Sequence, residues 1–295
     1  MKILITGGSG FIGQSLCHAL LEAGHDVTVL SRYPSRVQHR LAPAHVIDQF
    51  NDAPRVHAVV NLAGASIGGC RWTERRKEIL RHSRLAMTQS LYQWIAATAA
   101  DQRPKCVISG SAIGYYGDHG DQEIDETSPA GTDFAANLCR DWEKQAERIA
   151  TLGPRVSLLR TGIVLGQNGG ALKQLCLPYQ FGLGGALGGG QHWMSWIHLT
   201  DEVRLIQWLI EQGQAGPYNG TAPSPVKNNA FARELGAALH RPSWFSTPTW
   251  IISLALGEMA SMALCSQRVK PQRAQAEGFK FLYPTLDNAL RALWS

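Results

Sequence analysis

The chain has 295 residues, of which 44% are hydrophobic, and a formal net charge of +5 at pH 7. This length suits one large domain or two interleaved ones; no uncharged apolar run of about 18 residues predicts a membrane span, and dispersed Lys and Arg predict no nucleic-acid surface. The six cysteines form no CxxC pair and no zinc-type spacing, so we expect reduced thiols, no metal site and a cytoplasmic location. The N-terminus has one Lys and passes straight into a glycine-rich segment, so we expect no signal peptide.

The first predicted elements surround a glycine motif. A short apolar run, Ile3 to Ile5, is followed by Gly-x-x-Gly-x-x-Gly at Gly7, Gly10 and Gly13, and then by a predicted helix over 14–23. A dinucleotide pyrophosphate needs this arrangement, because the glycines allow a tight turn, close backbone approach and close helix packing. The helix N-terminus offers unpaired N–H groups to the anion. The alternative is an ordinary glycine turn.

Strands and helices alternate over the first half of the chain. We predict strands at 26–30, 58–62, 105–109 and 155–160, and helices at 74–100 and 137–150. This alternation indicates an α/β fold with a doubly wound parallel (Rossmann) sheet. After Gly166 glycine-rich loops and scattered prolines take over. We therefore expect a Rossmann domain over 1–165 and a smaller C-terminal substrate lobe over 166–295, interleaved with the first.

The end of the second strand indicates which cofactor binds. An NAD site places an Asp or Glu about 20 residues past the glycines to bind the ribose hydroxyls. This chain has Ser31-Arg32 there, with Arg36 close behind. A guanidinium pairs well with a 2′-phosphate, so we predict NADP(H) rather than NAD(H). The alternative is that Arg32 is a solvated loop residue.

Motifs along almost the whole chain resemble one family. They are TGGSGFIG, SRYPSR, NLAG, a serine-bearing strand end at Ser109 to Ser111, RTGIVLG, PYQFGLGG, WIHLTDEV and the tail SQRVKPQRAQAEGFKF. Together they are similar to extended short-chain dehydrogenases/reductases, in the branch called epimerase family proteins. That branch is described as NAD-dependent epimerase/dehydratase-like with a C-terminal domain of unknown function, and sometimes as a cell-division inhibitor.

The resemblance implies a set of cofactor contacts and a small-molecule substrate. By position these contacts are Gly7, Gly10, Phe11 and Ile12 for the pyrophosphate, Ser31 and Arg32 for the 2′-phosphate, Leu62 and Ala63 for the adenosine, Glu78 and Arg84 for the cofactor face, and Val164 for the nicotinamide. From the residues alone, Glu78 and Arg84 fit an exposed charged helix face equally well.

The catalytic residues depart from the family pattern. The family uses Ser, Tyr and Lys, with the Lys lowering a phenol pKa of about 10 so that the Tyr transfers a proton. Ser111 is in place, but Phe134 and Leu138 stand where Tyr and Lys are expected.

Three interpretations stay open. In the first, Tyr115 or Tyr116 supplies the proton, unless both are packed aromatics; Asp118, His198 and Asp201 are weaker candidates, and Thr200-Asp201 is favoured as a helix cap. In the second, hydride transfer needs no phenolate. In the third, the protein is a non-catalytic NADP(H)-binding sensor. A nucleotide-sugar epimerase or dehydratase is the further alternative. The glycine-rich run 181–190 is either a lid or a loop between lobes.

Overall fold

A parallel β-sheet forms the centre of the molecule. The computed structural model describes residues 1–68 and 71–294, so Cys70, one of the six cysteines considered above, lies outside the described residues. The strands of the described part are β1 (Lys2–Thr6), β2 (Asp26–Leu30), β3 (His45–Ile47), β4 (Ala58–Asn61), β5 (Cys106–Ala112), β6 (Glu123–Ile124), β7 (Arg155–Thr161), β8 (Ile163–Leu165), β9 (Trp193–Met194), β10 (Trp196–His198), β11 (Gly216–Gly220), β12 (Val226–Lys227) and β13 (Arg268–Val269). Within 1–68 and 71–294, seven of them pair in parallel in the order β11-β7-β5-β4-β1-β2-β3. This order confirms the predicted doubly wound sheet.

Helices cover both faces of this sheet. The helices of the described part are α1 (Phe11–Glu22), α2 (Pro34–Leu41), α3 (Glu74–Ala97), α4 (Phe134–Glu147), α5 (Gly170–Gln180), α6 (Leu199–Glu211), α7 (Asn228–Ala238), α8 (Thr249–Leu256), α9 (Met259–Leu264), α10 (Gln272–Ala276) and α11 (Leu286–Trp294). α1 and α6 pack on one face, and α3 and α4 pack on the other. In β1, Ile3 and Ile5 join the first buried layer and Leu4 joins the second, because neighbouring side chains of a strand point to opposite faces.

Local capping explains where two of the helices begin. The Thr73 side chain accepts the N–H of Arg76 at 3.2 Å at the start of α3, and Asp133 accepts the N–H of Ala136 at 2.8 Å at the start of α4. These side chains replace carbonyl partners that the first turn lacks. α1 begins after Gly10 without a side-chain cap, earlier than the predicted 14–23.

The chain after residue 165 completes the central sheet as well as adding a smaller lobe. β11 pairs with β7 at the sheet edge. Leu205 of α6, Tyr218 of β11 and Phe279 share one buried cluster with Ile3. A second cluster around Phe231, from α5, α7 and α11, forms the core of the smaller lobe. The segments 1–165 and 166–295 therefore share one sheet.

Within residues 1–68 and 71–294, no helix combines the length and the apolar character that a transmembrane helix requires.

Candidate functional site

The carboxyl ends of β1 and β4 lie side by side where the strand order reverses. Gly7 follows β1 with a φ of +74°, and a Cβ there would lie 2.7 Å from the carbonyl carbon of Leu62 and 2.8 Å from the nitrogen of Ala63. Only glycine therefore fits at residue 7, for both steric and conformational reasons. Ligands of doubly wound sheets bind in the crevice at this point.

The glycine motif brings α1 close to the same point. A Cβ at Gly13 would lie 2.3 Å from the carbonyl oxygen of Gly7, so the first turn of α1 packs directly on the end of β1. Gly10 donates its N–H to that oxygen at 2.9 Å. Because no side chain caps α1, its first N–H groups are left for an anion.

The loop after β2 carries an exposed cation. The Ser31 hydroxyl accepts the N–H of Tyr33 at 3.3 Å, which shapes the turn. Arg32 is exposed and makes no ion pair within the part of the chain that the structure describes. The Cζ of Arg36 lies 4.9 Å from the centre of the Tyr33 ring, whereas that of Arg32 lies 6.0 Å from it. Arg32 is therefore the less engaged guanidinium.

A cavity of about 740 Å³ lies between the sheet and the smaller lobe. Phe11 and Ile12 border it on the side of the glycine motif, and Val164 borders it on the side of β8. Phe11 is held there by glycines of the smaller lobe: a Cβ at Gly169 would lie 2.6 Å from Phe11 Cδ2, and one at Gly170 would lie 2.8 Å from its Cε1. The cavity and the crevice are thus continuous at Phe11 and Ile12.

Arg84 of α3 is buried in the cavity wall, with 6% of its surface exposed. Its guanidinium donates to the carbonyls of Leu80 at 3.0 Å and Ala65 at 3.1 Å, while Nε has no partner in the described structure. Burial lowers the pKa of Arg84. The acceptors of its two hydrogen bonds are uncharged carbonyls, so its positive charge is poorly compensated. The expectation that Arg84 belongs to an exposed helix face is wrong. Glu78 is exposed and lies outside the cavity, so the structure does not bring it to Arg84.

Ser111 belongs to a buried polar network behind the cavity. Its hydroxyl donates to Glu143 Oε1 at 2.5 Å. Glu143 also accepts two hydrogen bonds from Arg160, at 2.9 and 2.8 Å, in a bidentate ion pair. Burial lowers the pKa of Arg160, but the hydrogen bonds and charge of Glu143 outweigh this and raise it. Ser111 is not among the residues that line the cavity.

Tyr115 and Tyr116 pack against the same arginine. Tyr116 is fully buried; its hydroxyl donates to Asn219 at 2.7 Å and accepts from Arg160 at 3.0 Å. The Arg160 guanidinium lies 3.5 Å from the centre of the Tyr115 ring. Burial raises the pKa of Tyr116, and neither tyrosine lines the cavity. This placement favours the packed-aromatic interpretation over proton transfer.

The weaker candidates make structural contacts. The Asp118 carboxylate accepts the N–H groups of Gly120 and Ser266, and the Asp201 carboxylate accepts those of Leu282 and Tyr283. His198, rather than the Thr200-Asp201 pair, is the N-cap residue of α6 and accepts the N–H of Thr200 at 3.1 Å.

The wall formed by α4 contains no phenol or amine. Phe134 and Leu138 line it, as does Cys139, whose thiol pKa burial raises to about 12. Across the cavity, Thr161 lines the wall at the end of β7, and its Oγ1 lies 2.7 Å from Oε1 of Glu202. Glu202 is fully buried, and burial raises its pKa to about 8.

Sequence reasoning missed Glu143, Arg160, Thr161 and Glu202. Arg160 carried one signal, because a charge ending the apolar strand RVSLLR requires a buried partner. The others are single polar residues on amphipathic elements, and only the fold brings them together.

Comparisons with known proteins agree with this architecture. The sequence matches the model of the NAD dependent epimerase/dehydratase family over residues 3–221 and that of a domain of unknown function (DUF1731) over residues 247–293. It is 39% identical over 302 residues to the epimerase family protein SDR39U1 homolog, chloroplastic, of Arabidopsis thaliana, covering 99% of this chain and 86% of the relative. It is 36% identical over 302 residues to the epimerase family protein YfhF of Bacillus subtilis, covering 99% and 98%. The crystal structure of the human epimerase family protein SDR39U1 (isoform2) with NADPH superposes with a TM-score of 0.91, at 34% identity and 99% coverage of both chains.

Proposed function

The chain belongs to the NAD dependent epimerase/dehydratase family, and on that premise we propose that it is an NADP(H)-dependent oxidoreductase acting on a small molecule. The observation that carries the proposal is the backbone contact of Gly7 with Leu62 and Ala63 at the reversal of strand order, with the large cavity continuous with it. This layout suits a dinucleotide along the strand ends and a substrate beside its reactive end.

The residues present fit NADP(H). The uncapped start of α1 offers N–H donors to the pyrophosphate, and Arg32 offers a free guanidinium to the 2′-phosphate. The NADPH bound by the human relative supports the same choice. We assign Gly7, Gly10, Phe11 and Ile12 to the pyrophosphate, Ser31 and Arg32 to the 2′-phosphate, Leu62 and Ala63 to the adenosine, and Arg84 and Val164 to the cavity end of the cofactor. Glu78 stays a prediction without geometric support.

Thr161 and Glu202 are the pair best placed to move a proton. The reduced nicotinamide supplies a hydride when it is bound. A substrate carbonyl that accepts the hydride at carbon needs a proton at oxygen. Thr161 donates that proton from the cavity wall, and Glu202, protonated below pH about 8, returns one across the 2.7 Å contact. Between turnovers a proton from solvent in the cavity returns to the buried Glu202 through the Thr161 hydroxyl. The exchange therefore balances without a phenol.

A non-catalytic NADP(H)-binding protein is the second candidate. The observation that favours it is the apolar wall of α4, where Phe134 and Leu138 exchange no proton. The two candidates share the cofactor site and differ only in turnover.

Titration with NADPH and NADH tests the shared part of both candidates. We expect tight NADPH binding and weaker NADH binding. Both are measured by fluorescence energy transfer from the protein tryptophans to the reduced nicotinamide. Absence of NADPH binding contradicts both. Oxidation of bound NADPH by a panel of carbonyl compounds then separates them, since a sensor binds without turnover.

A further inference from the structure

We propose that the cavity binds an uncharged molecule with a largely aromatic or aliphatic body, rather than a nucleotide sugar. The inference rests on the proposed function, because it names the substrate class of that same site. Three features of the cavity carry it: an apolar wall, an apolar roof and the scarcity of cations.

The wall is made of packed aromatic and aliphatic groups. Trp72 and Phe134 meet edge to face, with ring centres 5.2 Å apart and planes at 71°. Leu138 and Met259 belong to the same cluster. Phe134 and Leu138 occupy the helix face where the family pattern expects a proton-transfer pair, so this face has become a binding surface for apolar groups.

The roof comes from the C-terminal region and the glycine-rich run. Leu256 and Met262, from α8 and α9, line the cavity together with Leu183 and Leu187. Backbone hydrogen bonds join the two segments, from the Phe245 N–H to the Gly184 carbonyl at 3.2 Å and from the Thr247 N–H to the Ala186 carbonyl at 2.8 Å. The roof is therefore a paired structure that presents leucine and methionine to the ligand.

The charges of the lining disfavour a diphosphate. Among the lining residues that the structure describes, Arg84 is the one Lys or Arg, and backbone carbonyls take hydrogen bonds from both of its terminal nitrogens. Two acids, Asp133 and Glu258, lie in the same lining. The two phosphates of a nucleotide sugar need several charge-assisted donors, which this cavity lacks once Arg84 is assigned to the cofactor. An uncharged ligand meets no such penalty.

Binding of Nile red, an uncharged aromatic dye, tests the inference. We expect the wild-type protein to bind it with increased emission, and an uncharged aromatic ketone such as benzophenone to displace it. UDP-glucose should leave it bound. This competition needs no variant, so its result does not depend on folding of a mutant.

Two matched substitutions in the roof locate the dye. Met262→Lys places an ammonium group on the cavity lining, at a side chain that is 39% exposed before a ligand covers it, and should weaken Nile red binding about tenfold or more. Leu254→Lys makes the same kind of change on a residue of α8 that is 68% exposed and does not line the cavity, and should change binding by less than about twofold.

The inference is overturned if UDP-glucose displaces the dye and benzophenone does not, if wild type binds no dye, or if Leu254→Lys weakens binding as much as Met262→Lys. NADPH is titrated in the same samples, and its affinity should be the same in all three proteins. If the wild-type protein does not bind NADPH, the proposed function is contradicted. If it binds NADPH but the dye experiments give one of the overturning results, this inference alone is contradicted.

Discussion

The Ser111 hydroxyl donates a 2.5 Å hydrogen bond to Glu143 inside the protein. The serine that the family pattern places beside the substrate therefore engages a carboxylate that is already paired with Arg160. Arg160 in turn contacts both tyrosines considered as relocated acids. These groups form one buried network that supports the cavity from behind.

Tyr116→Phe should lower the free energy of unfolding without weakening NADPH binding. The change leaves an N–H of Arg160 and the side-chain oxygen of Asn219 without a partner inside the protein. Such a loss costs about 1–3 kcal/mol, measurable by urea unfolding. Tyr115→Phe is the control, because the Tyr115 hydroxyl has no hydrogen-bond partner in the residues that the structure describes. Lost turnover at unchanged stability in Tyr116→Phe would restore it as the acid.

Arg32→Ala should weaken NADPH binding far more than NADH binding. A guanidinium paired with a phosphate contributes about 1.5–3 kcal/mol, so NADPH affinity should fall about tenfold or more. Arg36→Ala removes a neighbouring guanidinium that lies nearer the Tyr33 ring, and should have a smaller effect. Fluorescence titration of both nucleotides measures the difference. Equal losses for NADPH and NADH would contradict the 2′-phosphate assignment.

Glu202→Gln should change how stability depends on pH. Burial raises the pKa of Glu202 from 4.5 to about 8 in the folded protein, so folding favours the protonated form. The contribution of this bound proton to the free energy of unfolding is fully present below pH 4.5 and is lost as the pH rises through about 8. The glutamine variant has no such loss. We expect it to match wild type near pH 4.5 and to be more stable by about 3–5 kcal/mol above pH about 8, by urea unfolding.

The same variant tests the proton pair. If turnover is found, Glu202→Gln should slow NADPH oxidation, and the wild-type rate should fall as the pH rises through about 8. Thr161→Val should slow it likewise. If neither substitution changes the rate of NADPH oxidation, water supplies the proton directly.

Gly169→Ala should weaken NADPH binding through Phe11. The φ of Gly169 is 173°, which any residue adopts, so the effect is steric alone. The new methyl would lie 2.6 Å from Phe11 Cδ2 and displace the ring of Phe11, the first residue of α1. Crowding of this kind costs about 1–3 kcal/mol. Gly68→Ala is the control, because its methyl would meet nothing closer than 3.7 Å. NADPH titration compares the affinities of the two variants. Equal affinities would mean that the position of the Phe11 ring does not affect cofactor binding.

Much of the fold was predictable because predicted strands and helices alternate in the first half of the chain. The strand predicted at 105–109 extends to Ala112, because β7 offers partners in register as far as Thr161. α2, β3 and β11 were missed. β11 has the sequence GPYNG, which lacks a strand pattern. It becomes a strand because the edge of β7 is available to it.

The candidate site was predictable where backbone geometry decides it and not where side chains meet. The glycine motif marks the crevice because only glycine tolerates the contact of Gly7 with Leu62. No local pattern places Glu143 against Arg160, or Thr161 against Glu202, because helix packing on the sheet creates both contacts.

The late position of β11 has a consequence for biosynthesis. Tyr218 and Phe279 complete a core that begins with Ile3, so a nascent chain that has emerged only as far as residue 165 has no partner for the outer edge of β7. Unpaired edge strands readily join other chains. During translation the outer edge of β7 therefore stays unpaired until β11 has left the ribosome, and a fragment ending at residue 165 should aggregate when expressed alone.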